Sequence, residues 1–203
     1  METWATLFDR AEAFGVDADG IETALSERRA TDRGDAGDTG DRDPPSDRAD
    51  PSPARVVADA DVLAADLLVG GDARDALDGL RSHSWTTLVA SDDLVADAEA
   101  VIAALADAAL AADWRERVGA WREPVVQPAG DHPALASAYR GGAMHVLSFD
   151  ERLTAAGVGA GLTDRLPVSV REPRAFAALF DAERLYPEVA EGAYPGPDRD
   201  PRA

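Results

Sequence analysis

From residue 55 onward the chain alternates short β-branched or apolar runs with longer segments rich in Ala and Leu, and this alternation restricts the fold more than any other feature. Arg55–Ala58, Trp85–Ala90, Val125–Val126, Met144–Phe149 and Val168–Val170 read as strands. Between them, Val62–Leu68 and Arg74–Leu80 read as helices broken at Gly70-Gly71. A long Ala-rich helix is expected from Asp92 to about Ala111, with a shorter one through Trp114–Trp121. Helices over Asp131–Arg140, Glu151–Ala156 and Pro173–Phe180 complete the series. The expected fold class is α/β, a three-layer sandwich with a central, mostly parallel sheet.

Upstream the pattern differs. Trp4, Leu7, Phe8, Ala11 and Phe14 recur at helical spacing, and Ile21, Leu25 and the Ser26–Arg29 run predict a second helix entered through Asp17–Asp19. Residues 1–30 therefore read as a helical hairpin, suited to docking a protein partner or forming a homodimer. Thr31–Ala54 contains no Val, Ile, Leu, Met or aromatic residue but seven Asp, three Arg, three Gly and four Pro. Such a segment has too little apolar surface to offset its ordering entropy, so it reads as a disordered linker. The expected organisation is a hairpin at 1–30, a linker at 31–54, an α/β domain at 55–182 and a loose tail at 183–203.

The 203 residues carry 39 acids against 20 basic residues, for a formal net charge of −19, and all the basic residues are Arg. An Asp-rich, Lys-free chain fits a protein adapted to multimolar salt, where a dense carboxylate surface stays hydrated while salt screens its self-repulsion. Without Cys, disulfide scaffolds, thiolate zinc sites and cysteine nucleophiles are excluded. No apolar run approaches the length needed to span a bilayer, and Met1–Arg10 carries acids where a targeting peptide would carry basic residues. The expectation is a cytoplasmic protein with no membrane partner. Because molar salt shortens the Debye length to about 3 Å, the negative charge does not exclude RNA.

Three strands run toward aspartates: Val57-Ala58 into Asp59-Ala60-Asp61, Val126 into the loop holding Asp131, and Leu147-Ser148-Phe149 into Asp150. In an open parallel sheet the carboxyl ends of the strands form the ligand crevice, so acids placed there converge. On the long helix Asp97 borders one edge of the apolar arc and Glu99 the opposite edge, and helical geometry alone does not choose between them. Two carboxylates about 4 Å apart repel by roughly 4 kcal/mol at an effective dielectric near 20, so a cluster calls for a cation. All-oxygen ligation suits Mg²⁺ or Mn²⁺, which can activate water and stabilise displacement at a phosphodiester.

These residues resemble the PIN-like domain family. Val56-Val57-Ala58-Asp59-Ala60-Asp61-Val62-Leu63 is similar to its opening strand, and Ser91-Asp92-Asp93-Leu94-Val95-Ala96-Asp97 to its helix bearing the second acid. Asp131-His132-Pro133-Ala134-Leu135-Ala136-Ser137-Ala138, Gly141-Gly142-Ala143 and Val146-Leu147-Ser148-Phe149-Asp150 resemble the third and fourth acidic motifs. Val168–Phe176 resembles the closing strand and Pro-x-x-Phe helix. The resemblance implies a Mg²⁺- or Mn²⁺-dependent nuclease, acting on RNA, with Asp59, Asp97, Asp131 and Asp150 as catalytic acids. Asp59, Asp131 and Asp150 would bind the metal, with Asp61 and Ser148 auxiliary. Arg81, Arg140 and Arg152 are the candidates for substrate phosphate. Asp97 stands where the family usually has Glu, and Asp61 where Asn is commoner.

Each motif also has a structural reading. Asp131 and Asp150 sit where helix N-caps are expected, Asp97 could be a solvated helix edge, and Trp85, Trp114 and Trp121 suit a core. His83, His132 and His145 form no i, i+4 ligand pair and read as incidental. The competing function is a catalytically inactive PIN-like binding or assembly module.

Overall fold

A computed structural model describes residues 1–35, 48–126, 132–155 and 168–203. Helices α1 (Trp4–Glu12) and α2 (Ala18–Asp35) precede strand β1 (Ser52–Ala58). Then α3 (Ala60–Leu68) and α4 (Gly71–Arg81) lead to β2 (Thr87–Ser91), and α5 (Asp92–Leu105) and α6 (Ala108–Trp121) lead to β3 (Glu123–Val125). After α7 (Pro133–Gly141) come β4 (Ala143–Leu147), α8 (Glu151–Thr154), β5 (Ser169–Arg171), α9 (Pro173–Leu179) and α10 (Ala182–Val189).

The five strands lie in the order β3-β2-β1-β4-β5, and every neighbouring pair is parallel. Helices flank this sheet, giving the expected three-layer α/β sandwich. The strand order reverses between β1 and β4, which opens the crevice where such sheets bind ligands. Ala58 pairs with Leu147 there, and the Asp59 amide donates to the Leu147 carbonyl at 2.8 Å, so the two strand ends are level. Helix α3, which leaves β1 at this point, is buried along its whole length. Among the described residues no helix is long and apolar enough to cross a membrane.

Four expectations are corrected. The break between the two helices after β2 falls earlier than expected, because α5 ends at Leu105 and the Asp107 carboxylate accepts from the Leu110 amide at 2.7 Å to start α6. The hairpin is no tethered module: Trp4, Leu7, Phe8, Ala11, Ile21 and Leu25 are buried in the same core as α3, α5 and α6. The apolar face offered to a partner is thus used internally, leaving Met1 and Phe14 as the exposed large apolar residues of the pair. The segment read as linker is ordered at both ends, since α2 continues to Asp35 and β1 begins at Ser52; residues 36–47 lie outside the described residues. Composition reports whether side chains can be buried, whereas helix and strand ends are held by backbone hydrogen bonds that polar residues also make.

The tail is the fourth correction. Tyr194 Oη lies 2.6 Å from His83 Nε2, the Asp198 carboxylate accepts from the Ser84 amide at 2.7 Å, and the Ala5 amide donates to the Arg202 carbonyl at 3.0 Å. Arg202 also pairs with Asp78 at 2.6 Å. Residues 194–202 are therefore laid across the end of α4 and reach α1, held by polar contacts that leave no periodic trace in the sequence.

Gly142 joins α7 to β4 with φ +63, and a Cβ there would collide with the carbonyls of Ala49 and Asp50. The left-handed conformation alone costs a non-glycine residue about 1–2 kcal/mol. Gly142→Ala is expected to lower stability by at least that amount, read as a fall in the urea midpoint at unchanged slope.

Candidate functional site

The site is built where β1 and β4 end. Asp59 follows β1 as the N-cap of α3 and has no solvent exposure. Its Oδ1 accepts from the Ala60 amide at 2.8 Å and from Arg29 Nη2 at 2.7 Å. Asp61, in the first turn of α3, accepts from its neighbour Val62 at 2.6 Å and from the Phe149 amide at 3.0 Å, which ties it to the loop after β4. Ser148 Oγ lies 3.2 Å from both Asp59 Oδ2 and Asp61 Oδ2, and it accepts from the Asp150 amide at 3.0 Å. One hydroxyl thus ties the two buried acids to the loop that carries Asp150.

Two carboxylates held this way cannot both ionise easily. Burial, reinforced by the Asp59 charge, pushes the Asp61 carboxyl up to about 8 against the amides that bind it, so it keeps its proton at neutral pH. The counter-charge comes from α2. Arg29 Nε lies 3.7 Å from Asp97 Oδ2, and Arg28 Nε lies 3.5 Å from Asp97 Oδ1. The Arg29 guanidinium therefore bridges Asp59 and Asp97; burial works most strongly against its charge, but the surrounding acids, Asp59 foremost and then Asp97, together outweigh it and its pKa is raised.

The structure chooses between the two acids of α5. Asp97 is buried toward Arg28 and Arg29, while Glu99 turns away and pairs with Arg115 of α6 at 2.6 Å. Asp150 caps α8 by accepting from the Arg152 amide at 2.8 Å, so the cap reading holds for it. The Arg152 guanidinium grips the same carboxylate at 2.9 and 2.7 Å and lowers its pKa. Asp131 lies outside the described residues.

Of the phosphate candidates, Arg81 is corrected. It is buried against Asp66 and Asp78, with its guanidinium 4.2 Å over the Trp4 ring, and so cannot meet a substrate. Asp78 is its i,i+3 neighbour on α4, but its helical position gave no hint of burial, because Asp66 comes from α3 and the ring from α1. Arg152 is exposed and Arg140, in the last turn of α7, is half-buried.

Two residues here were not anticipated. Arg29 enters the sequence reading only as the end of the run that predicts the second helix, and no local signal places it against an acid thirty residues on. His132, read as incidental, sits with Nε2 at 3.9 Å from Asp59 Oδ2. Neither ring nitrogen has a hydrogen-bond partner among the described residues, and burial keeps the imidazole neutral. Its adjacency to Asp131 was the available clue.

Among the described residues no three His, Asp or Glu side chains are gathered as a metal-ligand set. Arg29 stands between the acids that could form one. The donor chemistry nevertheless fits a hard divalent cation: Asp59, Asp61 and Asp97 offer only oxygen, and their excess charge already holds a cation, the guanidinium. A model of a family of unknown function (DUF7384) matches residues 50–202. Neither the curated proteins nor the solved structures give a match.

Proposed function

We propose that this chain, which belongs to that family of unknown function, is a Mg²⁺- or Mn²⁺-dependent nuclease with RNA as its substrate. The observation that carries the reading is a fully buried aspartate at the switch point of a parallel sheet, sharing a hydroxyl with a second buried acid and a guanidinium with a third. Buried acids without mutual repair are costly to a fold, and such groups cluster at functional sites. The resemblance to PIN-like domains adds the identity of the acids, Asp59, Asp97, Asp131 and Asp150.

Asp59 and Asp97 would hold the cation, with Asp131 and Asp150 completing the set. Bound there, Mg²⁺ or Mn²⁺ would supply an activated water and charge stabilisation at the phosphodiester. The chain's own groups do the rest. Ser148 fixes the spacing of Asp59 and Asp61, the protonated Asp61 keeps the pocket's charge down, and Arg152 is exposed and able to turn from Asp150 to a backbone phosphate. Neutral His132, whose ring nitrogens have no hydrogen-bond partner among the described residues and whose Nε2 faces Asp59, can accept or relay a proton at Nε2.

A second reading, an inactive binding or assembly module, is favoured by the arginines paired to Asp59, Asp97 and Asp150. Incubating the full chain with single-stranded RNA and Mn²⁺ separates the two. Metal-dependent cleavage that Asp59→Asn abolishes supports the nuclease. A wild type that neither binds Mn²⁺ nor cuts supports the module.

A further inference from the structure

We infer that Arg29 is a built-in competitor for the cation of the acid pocket, so that the end of α2 holds the site shut until a divalent ion displaces it. This rests on the metal-dependent reading above.

The Arg29 guanidinium reaches two of the proposed metal-binding acids at once, 2.7 Å from Asp59 and 3.7 Å from Asp97. Only 13% of its side chain meets solvent, so it is seated inside the pocket and not laid over it. Guanidinium cannot give up its proton, and Asp59 is wholly buried. The pocket therefore favours a bound positive charge, and Arg29 and a divalent cation compete to supply it.

How α2 is attached makes such an exchange feasible. Ile21 and Leu25 anchor it in the core, but no residue from Ser26 to Thr31 is buried. Over that stretch Arg28 and Arg29 are the half-buried residues, and their ion pairs reach Asp59 and Asp97. From Ser26 to Thr31 the apolar residue is Ala30, which is exposed, so this stretch is held by ion pairs that a divalent cation would replace. By linkage, whatever Arg29 takes from metal affinity, metal takes from the hold on α2.

The test compares Mn²⁺ binding by the intact wild type, Arg29→Gln and Arg10→Gln, using the electron paramagnetic resonance signal of free Mn²⁺. Arg10 is the control because it removes the same charge from the same helix pair while serving Glu2 and Asp113 instead. A plug closed roughly nine-tenths of the time weakens apparent affinity about tenfold, so Arg29→Gln is expected to bind about tenfold tighter and Arg10→Gln like the wild type. In the wild type, saturating Mn²⁺ is also expected to speed amide exchange over residues 26–31. If the wild type binds Mn²⁺ and Arg29→Gln binds no tighter than Arg10→Gln, the plug is overturned while the metal site stands. If none of the three binds, the metal reading falls and takes the plug with it. Should Arg29→Gln fail to fold, wild-type exchange decides, and rates over 26–31 that Mn²⁺ leaves unchanged overturn the plug.

Discussion

Residues 50–203 expressed without the N-terminal helix pair are expected to lose the native fold. Trp4, Leu7, Phe8, Ile21 and Leu25 are all buried in the common core. At about 1.5–3 kcal/mol for each large side chain, their removal forfeits on the order of 10 kcal/mol, against a total of about 5–15 kcal/mol for a domain. The loss is compounded at Arg81, whose charge is buried with Asp66 beneath Trp4 and Trp121 and would be opened to water on one side. Circular dichroism of the fragment should show no cooperative melt. The single change Trp4→Ala should lower stability by about 3–5 kcal/mol in urea. A fragment that melts cooperatively near the temperature of the whole chain would show the pair to be peripheral.

Asp61 is expected to make the fold less stable as pH rises from about 4 to about 8. Its carboxyl moves from the usual 3.8 to about 8 on folding. Below the lower value both states are protonated and the stabilisation is complete. Between the two, the folded chain binds one more proton than the unfolded chain, so stability falls by roughly 1.4 kcal/mol per pH unit until the folded group ionises. Asp150, whose pKa is lowered, contributes the opposite slope at acid pH, so the informative quantity is a difference between variants. Asp61→Asn should melt higher than the wild type at pH 8, with the gap closing toward pH 4. Melting curves that stay parallel across that range would mean that Asp61 ionises normally in the fold.

Much of the fold was legible in the order of residues. Alternating β-branched runs and helical repeats placed the strands that the sheet contains, with errors of a few residues at their ends, because a side chain's burial follows the local period of its element. The helix break at Ala106 and Asp107 was misplaced because alanine continues any helical pattern and a cap is one residue among many aspartates. The tail was misread because its ties, from Tyr194 to His83 and from Asp198 to Ser84, join segments more than a hundred residues apart.

The same division runs through the site. That Asp59 and Asp150 stand at strand ends is a property of the sequence, since a parallel sheet brings the carboxyl ends of its strands to one side whatever the helices do. Which charges meet is not. Asp97 and Glu99 are equivalent on a helical projection, and only the packing of α2 and α6 against α5 gives one to Arg29 and the other to Arg115. Arg29 and Arg81 are both arginines in the later turns of amphipathic helices, yet one is seated among the site's acids and the other beneath a tryptophan. Local sequence set the backbone path and the apolar faces. The pairing of ions across fifteen or more residues was decided by tertiary structure, because a charge is committed to a partner only when burial removes the water that would otherwise serve it equally well.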